Sequence, residues 1–375
     1  MSSRLRSAAL GGAALYLVIA AGPALAADAT EVADALVAAF AARDGANATY
    51  ESASGSGGTI TITGFVGTDK DGDTATMPTV VVTGAEMQAE GGFTADSMTF
   101  DNGKLVDQEA TVSWQTGRLD DVVMPSAEEA KADQDRLPFE GVSMTGLNIE
   151  GDDLPAPITI ASIDGTGTVD ADGKPQDFDL KIAGFSIPAA VFAQEPEMKA
   201  VVDQLGYTNG FNGNLEVAGS YQKGGNLFTL ETFKLDADEV GTLTIGGTFA
   251  GMVMESLGGR PDFSDGAIEN LSIRFDNAGV VERVLDMQAQ MMNMPREAFV
   301  AQTVGALPFM LNMLGNPPFQ EKVATAAGTF LNDPKSITFS IAPAEPVKID
   351  DIAGAAMVDP GTLPDILSAD ITANN

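Results

Sequence analysis

Histidine and cysteine are absent from all 375 residues. Without them the chain lacks the side chains that carry most nucleophilic, acid–base and transition-metal chemistry near neutral pH. A serine triad has no histidine to serve as its base, and no disulfide can staple the fold. Aromatics are scarce: one Trp (Trp114) and four Tyr. That scarcity disfavours a carbohydrate site, even though two carboxylates alone could run a glycosidase. Basic residues are few as well, 20 Lys and Arg against 53 Asp and Glu. Such a field repels phosphate backbones, so nucleic acid is excluded as a partner.

The first 26 residues have a different character. Arg4 and Arg6 precede an apolar run from about Ala8 to Ala21. Pro23 ends that run, and Ala24-Leu25-Ala26 supplies a small-x-small cleavage site. This is the pattern of a secretory signal peptide over 1–26, cleaved after Ala26. All 53 acidic and 18 of the 20 basic residues follow it, a net charge of −35. Zero cysteine in an exported chain of this length favours a bacterial periplasmic protein with an ordinary core over a disulfide-rich secreted one.

Periodicity divides the remainder. Asp28, with Glu31 three residues on, predicts the N-cap of a helix carrying Val32, Leu36 and Phe40 on one face and stopping at Gly45. From Thr59 the period falls to two, and short strands are expected at Val80–Thr83, Phe93–Phe100, Leu105–Trp114, Val142–Ile149 and Ile158–Val169. Further strands are expected at Phe178–Phe185, Leu215–Tyr221, Leu227–Leu235, Val240–Phe249 and Ile268–Phe275. Asn102-Gly103, Asp172-Gly173 and Gly224-Gly225 predict tight hairpin turns. Met124–Arg136 reads as a short surface helix or linker, and Ile187–Leu205 as a helix interrupted at Pro196 and stopped by Gly206. After Asp276 three helices are expected, one bearing Val281, Val284, Leu285, Met291 and Met292, then Arg296–Leu314 kinked at Pro308, then Pro317–Leu331. Ser336–Ile341 closes the pattern as a strand. Gln302, Thr303, Pro308 and Asn312 make the second helix a buried or lipid-contacting one rather than a membrane span.

The expected fold is α+β and β-dominated: a long twisted antiparallel sheet, curved or sandwich-like, covered by a C-terminal helical block. The segments are 27–124 (helix plus strands), 125–276 (central strands with an inserted helix), 277–332 (helical block) and 333–375 (closing strand and tail). An outer-membrane barrel fits less well, because the helical block interrupts the strands and no aromatic strand stands at Ala373-Asn374-Asn375.

Carboxylates are the plentiful reactive groups. Asp69, Asp71 and Asp73 alternate as the opening of a calcium loop does, but the glycine comes two positions early and no closing glutamate follows. An acidic hairpin turn explains them better, as it does Glu150-Gly151-Asp152-Asp153 and Asp236-Ala237-Asp238-Glu239. Ser220 and Lys223 match Ser-x-x-Lys spacing at a strand end rather than on a helix, and companion motifs are missing. Met287, Met291, Met292 and Met294 suit core packing or a plastic apolar surface better than copper. The candidate binding surface is therefore apolar: Met287, Met291, Met292, Phe299, Phe309 and Met310. No cofactor and no catalytic residue is expected.

Three stretches carry a resemblance: Gly213–Gly219, Gly241–Gly247 and the Asp333–Thr338 lead into a closing strand. In this style the chain resembles uncharacterised alphaproteobacterial periplasmic proteins and, more distantly, YdgA-like and AsmA-like envelope proteins. The AsmA-like resemblance implies curved sheets with an apolar groove and a role in envelope lipid handling. The chain departs from that group in having a cleavable signal instead of an anchor. The expected function is that of an exported, non-enzymatic periplasmic protein that binds an apolar ligand such as lipid, or supports envelope maintenance with another envelope protein as partner. The alternative is a structural or protein-interaction module without a ligand, and a carboxylate-only hydrolase ranks third.

Overall fold

A computed structural model describes residues 27–42, 47–132, 138–169, 175–253, 262 and 264–375. The expected signal peptide, the Gly45 helix stop, the Asp172-Gly173 turn and the end of the Met124–Arg136 segment lie outside the described residues. The fold is α+β and dominated by antiparallel strands, with most of the helix toward the C-terminus. The described residues form two compact units, one within 27–184 and the other within 185–253 and 262–375.

The first unit opens with α1 (Ala29–Ala41). Its N-cap is Asp28, whose carboxylate accepts from Thr30 N at 2.8 Å. The strands β1 (Asn47–Thr49), β2 (Ser52–Ser56) and β3 (Thr59–Thr68) follow, with both β1 and β2 pairing along β3. Then come β4 (Thr74–Thr83), β5 (Glu86–Met87), β6 (Phe93–Thr99), β7 (Lys104–Val106), β8 (Ala110–Ser113) and β9 (Thr116–Met124). A short α2 (Ala127–Ala132) is opened by a reciprocal cap, Ser126 N and Oγ donating to Glu129 Oε2 at 2.9 Å. The unit closes with β10 (Gly141–Gly151), β11 (Ile158–Val169) and most of β12 (Pro175–Ile187).

Packing follows from α1. Its alanines let the helix lie close on the strands, and Val32, Ile62, Val80, Val82 and Phe93 have no exposed surface. In β3 the buried positions switch from Ile60 and Ile62 to Phe65. The switch occurs at Gly64, whose φ of 64° swivels the strand and keeps the apolar residues on the core side.

Two expectations are corrected here. Leu105–Trp114 is not one strand but the hairpin β7–β8, reversed at Asp107, whose carboxylate accepts from Glu109 N at 2.7 Å and Ala110 N at 2.5 Å. Asn102-Gly103 is not a hairpin turn. β6 and β7 both pair with β4, so this dipeptide interrupts one long strand. Trp114 is the reason: its indole N–H donates to Phe100 O at 2.8 Å, its ring meets Phe100 edge-on at 5.9 Å, and a Cβ at Gly103 would overlap it.

The second unit begins with α3 (Ala189–Phe192) and α4 (Pro196–Leu205), the latter stopped by Gly206 at φ 80°. Val202 is buried, whereas Val201 faces outward. Four long strands follow, β13 (Phe211–Gln222), β14 (Leu227–Ala237), β15 (Gly241–Ala250) and β16 (Ala267–Asn277), each antiparallel to the next. At the β13–β14 reversal the left-handed residue is Asn226 (φ 46°), not Gly224 or Gly225, which lie in a single 3₁₀ turn. Helices α5 (Val280–Met291), α6 (Arg296–Met310) and α7 (Pro317–Asn332) stack in sequence, with Leu311–Leu314 tightening to 3₁₀ after Pro308. The chain then returns as β17 (Ser336–Ile341) and β18 (Val347–Lys348), both pairing with β16. Finally α8 (Ile349–Val358) and α9 (Leu363–Ile366) precede β19 (Asp370–Ala373), which pairs with β17. The helical cover lies over this end of the sheet, with α7 packed along β19 and β17.

Candidate functional site

The registers of the second unit assemble a continuous apolar face, because residues directly opposite in an antiparallel pair share one side of the sheet. Four cross-strand rows result. The first is Leu215, Leu235, Leu243, Phe275, Ile337, and the second Val217, Phe233, Ile245, Ile273, Phe339. The third is Gly219, Leu230, Gly247, Leu271, Ile341, and the fourth Tyr221, Phe228, Phe249, Ile268, Val347. With strands ~4.8 Å apart and same-face residues ~6.8 Å apart, this is a surface roughly 20 Å on each side. Irregularities in register within β14 and near Phe249 keep the rows aligned where simple alternation would have broken them.

The reverse face is polar. Asn214, Asp236, Thr242, Asp276 and Ser336 form one row; Glu216, Lys234, Thr244, Arg274 and Thr338 form another. Arg274 grips Asp276 with two N–H donors at 2.8 and 2.6 Å, and Thr242 donates to Asp236 at 2.7 Å. All charge in these rows therefore sits on one side.

Burial distinguishes this apolar face from that of the first unit. Gly219, Gly247, Tyr221 and Ile341 are buried, while the other row positions are only half-buried. The helical block packs chiefly through α7 on β19 and β17. One corner is finished by aromatic packing: Phe211 meets Phe192 edge-on at 5.3 Å and Tyr207 at 4.9 Å. Arg283 lies 4.6 Å over the Tyr207 ring, donates to Leu205 O at 2.9 Å and pairs with Glu239. Burial pushes the Tyr207 phenol above its ordinary pKa, an effect the Arg283 charge opposes. Arg283 thus locks α4, α5 and the β14–β15 turn together.

The expected surface residues are not gathered into one patch. Met287 is half-buried and lines, with Met291, Arg283 and Gln290, an open cleft of about 590 Å³ between α4 and α5. Met291 and Met292 are exposed at the end of α5, beyond the buried pair Leu285 and Ala289, so they do not continue that helix's packed face. Phe299 is half-buried near the start of α6. Phe309 and Met310 are exposed at its other end, about 15 Å from Phe299 along a helix rising ~1.5 Å per residue. The row residues of the sheet were missed as a site, because only pairing brings them together.

Asp69, the first calcium candidate, turns inward on its own hairpin. One carboxylate oxygen accepts from Asp71 N at 2.8 Å and Asp73 N at 3.0 Å, and Gly72 takes φ 89°. Glu150 accepts from Asn148 at 2.9 Å, and Glu239 occupies a left-handed turn position at φ 59°. Among the described residues no three His, Cys, Asp or Glu side chains converge as a metal site. Likewise, no described helix is long and apolar enough to cross a membrane.

A family profile described as "Uncharacterized protein" matches residues 234–374, which take in the end of β14, β15–β19 and the helical block. No curated protein matches the chain.

Proposed function

We propose that this is an exported, non-enzymatic protein of the cell envelope that holds an acyl chain or similar apolar ligand against the β13–β17 face. One observation carries the reading: α1 seals the apolar face of β3, β4, β6 and β9, whereas most positions of the β13–β17 rows stay only half-buried. A monomer rarely leaves a contiguous apolar surface of several hundred Å² open without a use for it. The scale suits a lipid tail, since one leaflet of the ~30 Å hydrocarbon core is ~15 Å deep. Charge kept to the reverse face and the absence of histidine and cysteine favour binding over catalysis. The signal-like first 26 residues, and a strand style similar to AsmA-like and YdgA-like proteins, support periplasmic placement and an alphaproteobacterial origin.

Native mass spectrometry of the mature chain from its own host tests this, together with titration by a fluorescent fatty acid. Co-purifying lipid, or saturable uptake weakened by Ile245→Ser, is expected. A lipid-free chain that takes up no probe overturns the ligand reading and leaves a structural or protein-interaction module. Fractionation showing the chain in the cytoplasm with residues 1–26 intact overturns the export reading.

A further inference from the structure

Between Glu297 and Glu321, the segment Ala298–Gln320 holds no charged residue, in a chain where 73 of 375 are charged. It covers most of α6, the 3₁₀ turn and the start of α7. A second uncharged run, Ile352–Val358, forms most of α8. The fold carries the ends of both runs to the same place. Asn316, buried at 5% exposure, donates to Gly361 O and Asp365 Oδ2, both at 3.0 Å. Gly315 and Gly361 are close enough that a Cβ on Gly361 would sit 2.8 Å from Gly315 O. Phe309 and Met310 stand just before this clamp on one side, Met357 and Val358 just before it on the other.

These side chains point into solvent: Phe309 is 86% exposed, Met357 88% and Val358 87%. Met310 and Ile366 are exposed as well. The bordering charges are the carboxylates Asp359 and Asp365, and the nearest lysine along α7, Lys322, is bonded to Asp370 at 2.8 Å. An apolar tip rimmed by carboxylates, on a chain of net charge −33, does not suit anionic headgroups. It does suit a surface that presents cationic amines over an apolar interior, as zwitterionic lipid does.

We propose that this tip, formed by the end of α6 and the end of α8, docks the protein on a zwitterionic lipid surface, with Phe309, Met310, Met357 and Val358 entering the acyl boundary. Residues inserted at that depth gain by burying apolar area, and the absence of charge from the two uncharged runs removes the opposing desolvation. The tip uses none of the β13–β17 row residues, so docking and ligand holding are separable.

The test is flotation of the mature full-length chain with phosphatidylcholine vesicles, with phosphatidylglycerol vesicles and without vesicles. The chain is expected to float with phosphatidylcholine and several-fold less with phosphatidylglycerol, the gap narrowing as added salt screens the repulsion. Phe309→Ser/Met310→Ser and, separately, Met357→Ser/Val358→Ser should each lower flotation at least tenfold. These positions are solvent-exposed, so thermal unfolding and fatty-acid uptake should stay at the parental values. Absence of flotation, equal flotation of the variants, or preference for the anionic vesicles would overturn the proposal. So would concentration-dependent self-association in sedimentation that the same variants abolish, since that would make a second copy the occupant.

Discussion

Truncating one isoleucine in each unit measures how differently the two apolar faces are covered. Ile62 has no exposed surface and faces Val80 beneath α1. Ile62→Ala removes three buried carbons, worth about 2.4 kcal/mol at ~0.8 kcal/mol each, and leaves a closed cavity that raises the cost to about 3–4 kcal/mol. Ile245, flanked by Phe233 and Ile273, is only half-buried. Ile245→Ala forgoes roughly half the transfer energy and opens no sealed cavity, so about 1 kcal/mol is expected. Each unit needs its own reporter, because two units unfolding separately would violate two-state behaviour. Trp114 fluorescence in urea follows the first unit; amide exchange across β14–β16 follows the second. Slopes should match the parent while the midpoint or protection changes. A bound fatty acid should stabilise the parent more than Ile245→Ala, because stabilisation follows affinity for the native state. If Ile245→Ala costs as much as Ile62→Ala, the second face is sealed and the ligand argument fails.

Asn316→Ala should cost about 2–3 kcal/mol, because it leaves Gly361 O, Asp365 and the Phe319 N–H without their partner; faster proteolysis within 349–375 reports it. Gly103→Ala should cost about 1–3 kcal/mol by displacing Trp114, seen as red-shifted emission. Tyr50 donates to Asp34 at 2.9 Å, and that bond, then partial burial and the nearby carboxylates, raise its pKa above 10.0. The phenol is favoured in the fold, so its contribution is full below the unfolded pKa and is lost as pH rises through the folded one. Ultraviolet titration should show two late tyrosines, Tyr50 and Tyr207, and Asp34→Asn should bring only Tyr50 back toward the ordinary value.

Local signals in the sequence located most elements, since alternation marks a half-buried strand wherever it runs unbroken. Ile158–Val169 and Ser336–Ile341 fall where their patterns put them. Where the backbone departs from regularity the pattern misled. The Asn102-Gly103 dipeptide serves Trp114 rather than a hairpin turn, and the Leu105–Trp114 stretch reverses at Asp107. The strand β9 (Thr116–Met124) was missed because Arg118, Asp120 and Asp121 mask its apolar positions Leu119, Val122 and Met124. The methionines and phenylalanines of the helical block were visible as apolar, but not that their exposed members sit at helix ends. The apolar face of the second unit was less legible still. Its rows join residues as distant as Tyr221 and Val347, and nothing in a linear sequence records register.

The same pairing order governs how the sheet can be assembled during synthesis. β13, β14 and β15 pair in turn through short connections that cost little loop-closure entropy, and β16 joins β15 after the longer segment 251–266. β16 is different: its other edge must wait while α5, α6 and α7 are made before β17 arrives. During that interval it presents unpaired amides and carbonyls, the form of backbone most open to wrong partners. β17 then waits in turn for β19, fastened by Asn374, whose side chain accepts from Ser336 N at 3.1 Å and donates to Asp333 O at 2.7 Å. A chaperone acting on this protein would have its longest task there, guarding one bare strand edge until a late four-residue strand closes it.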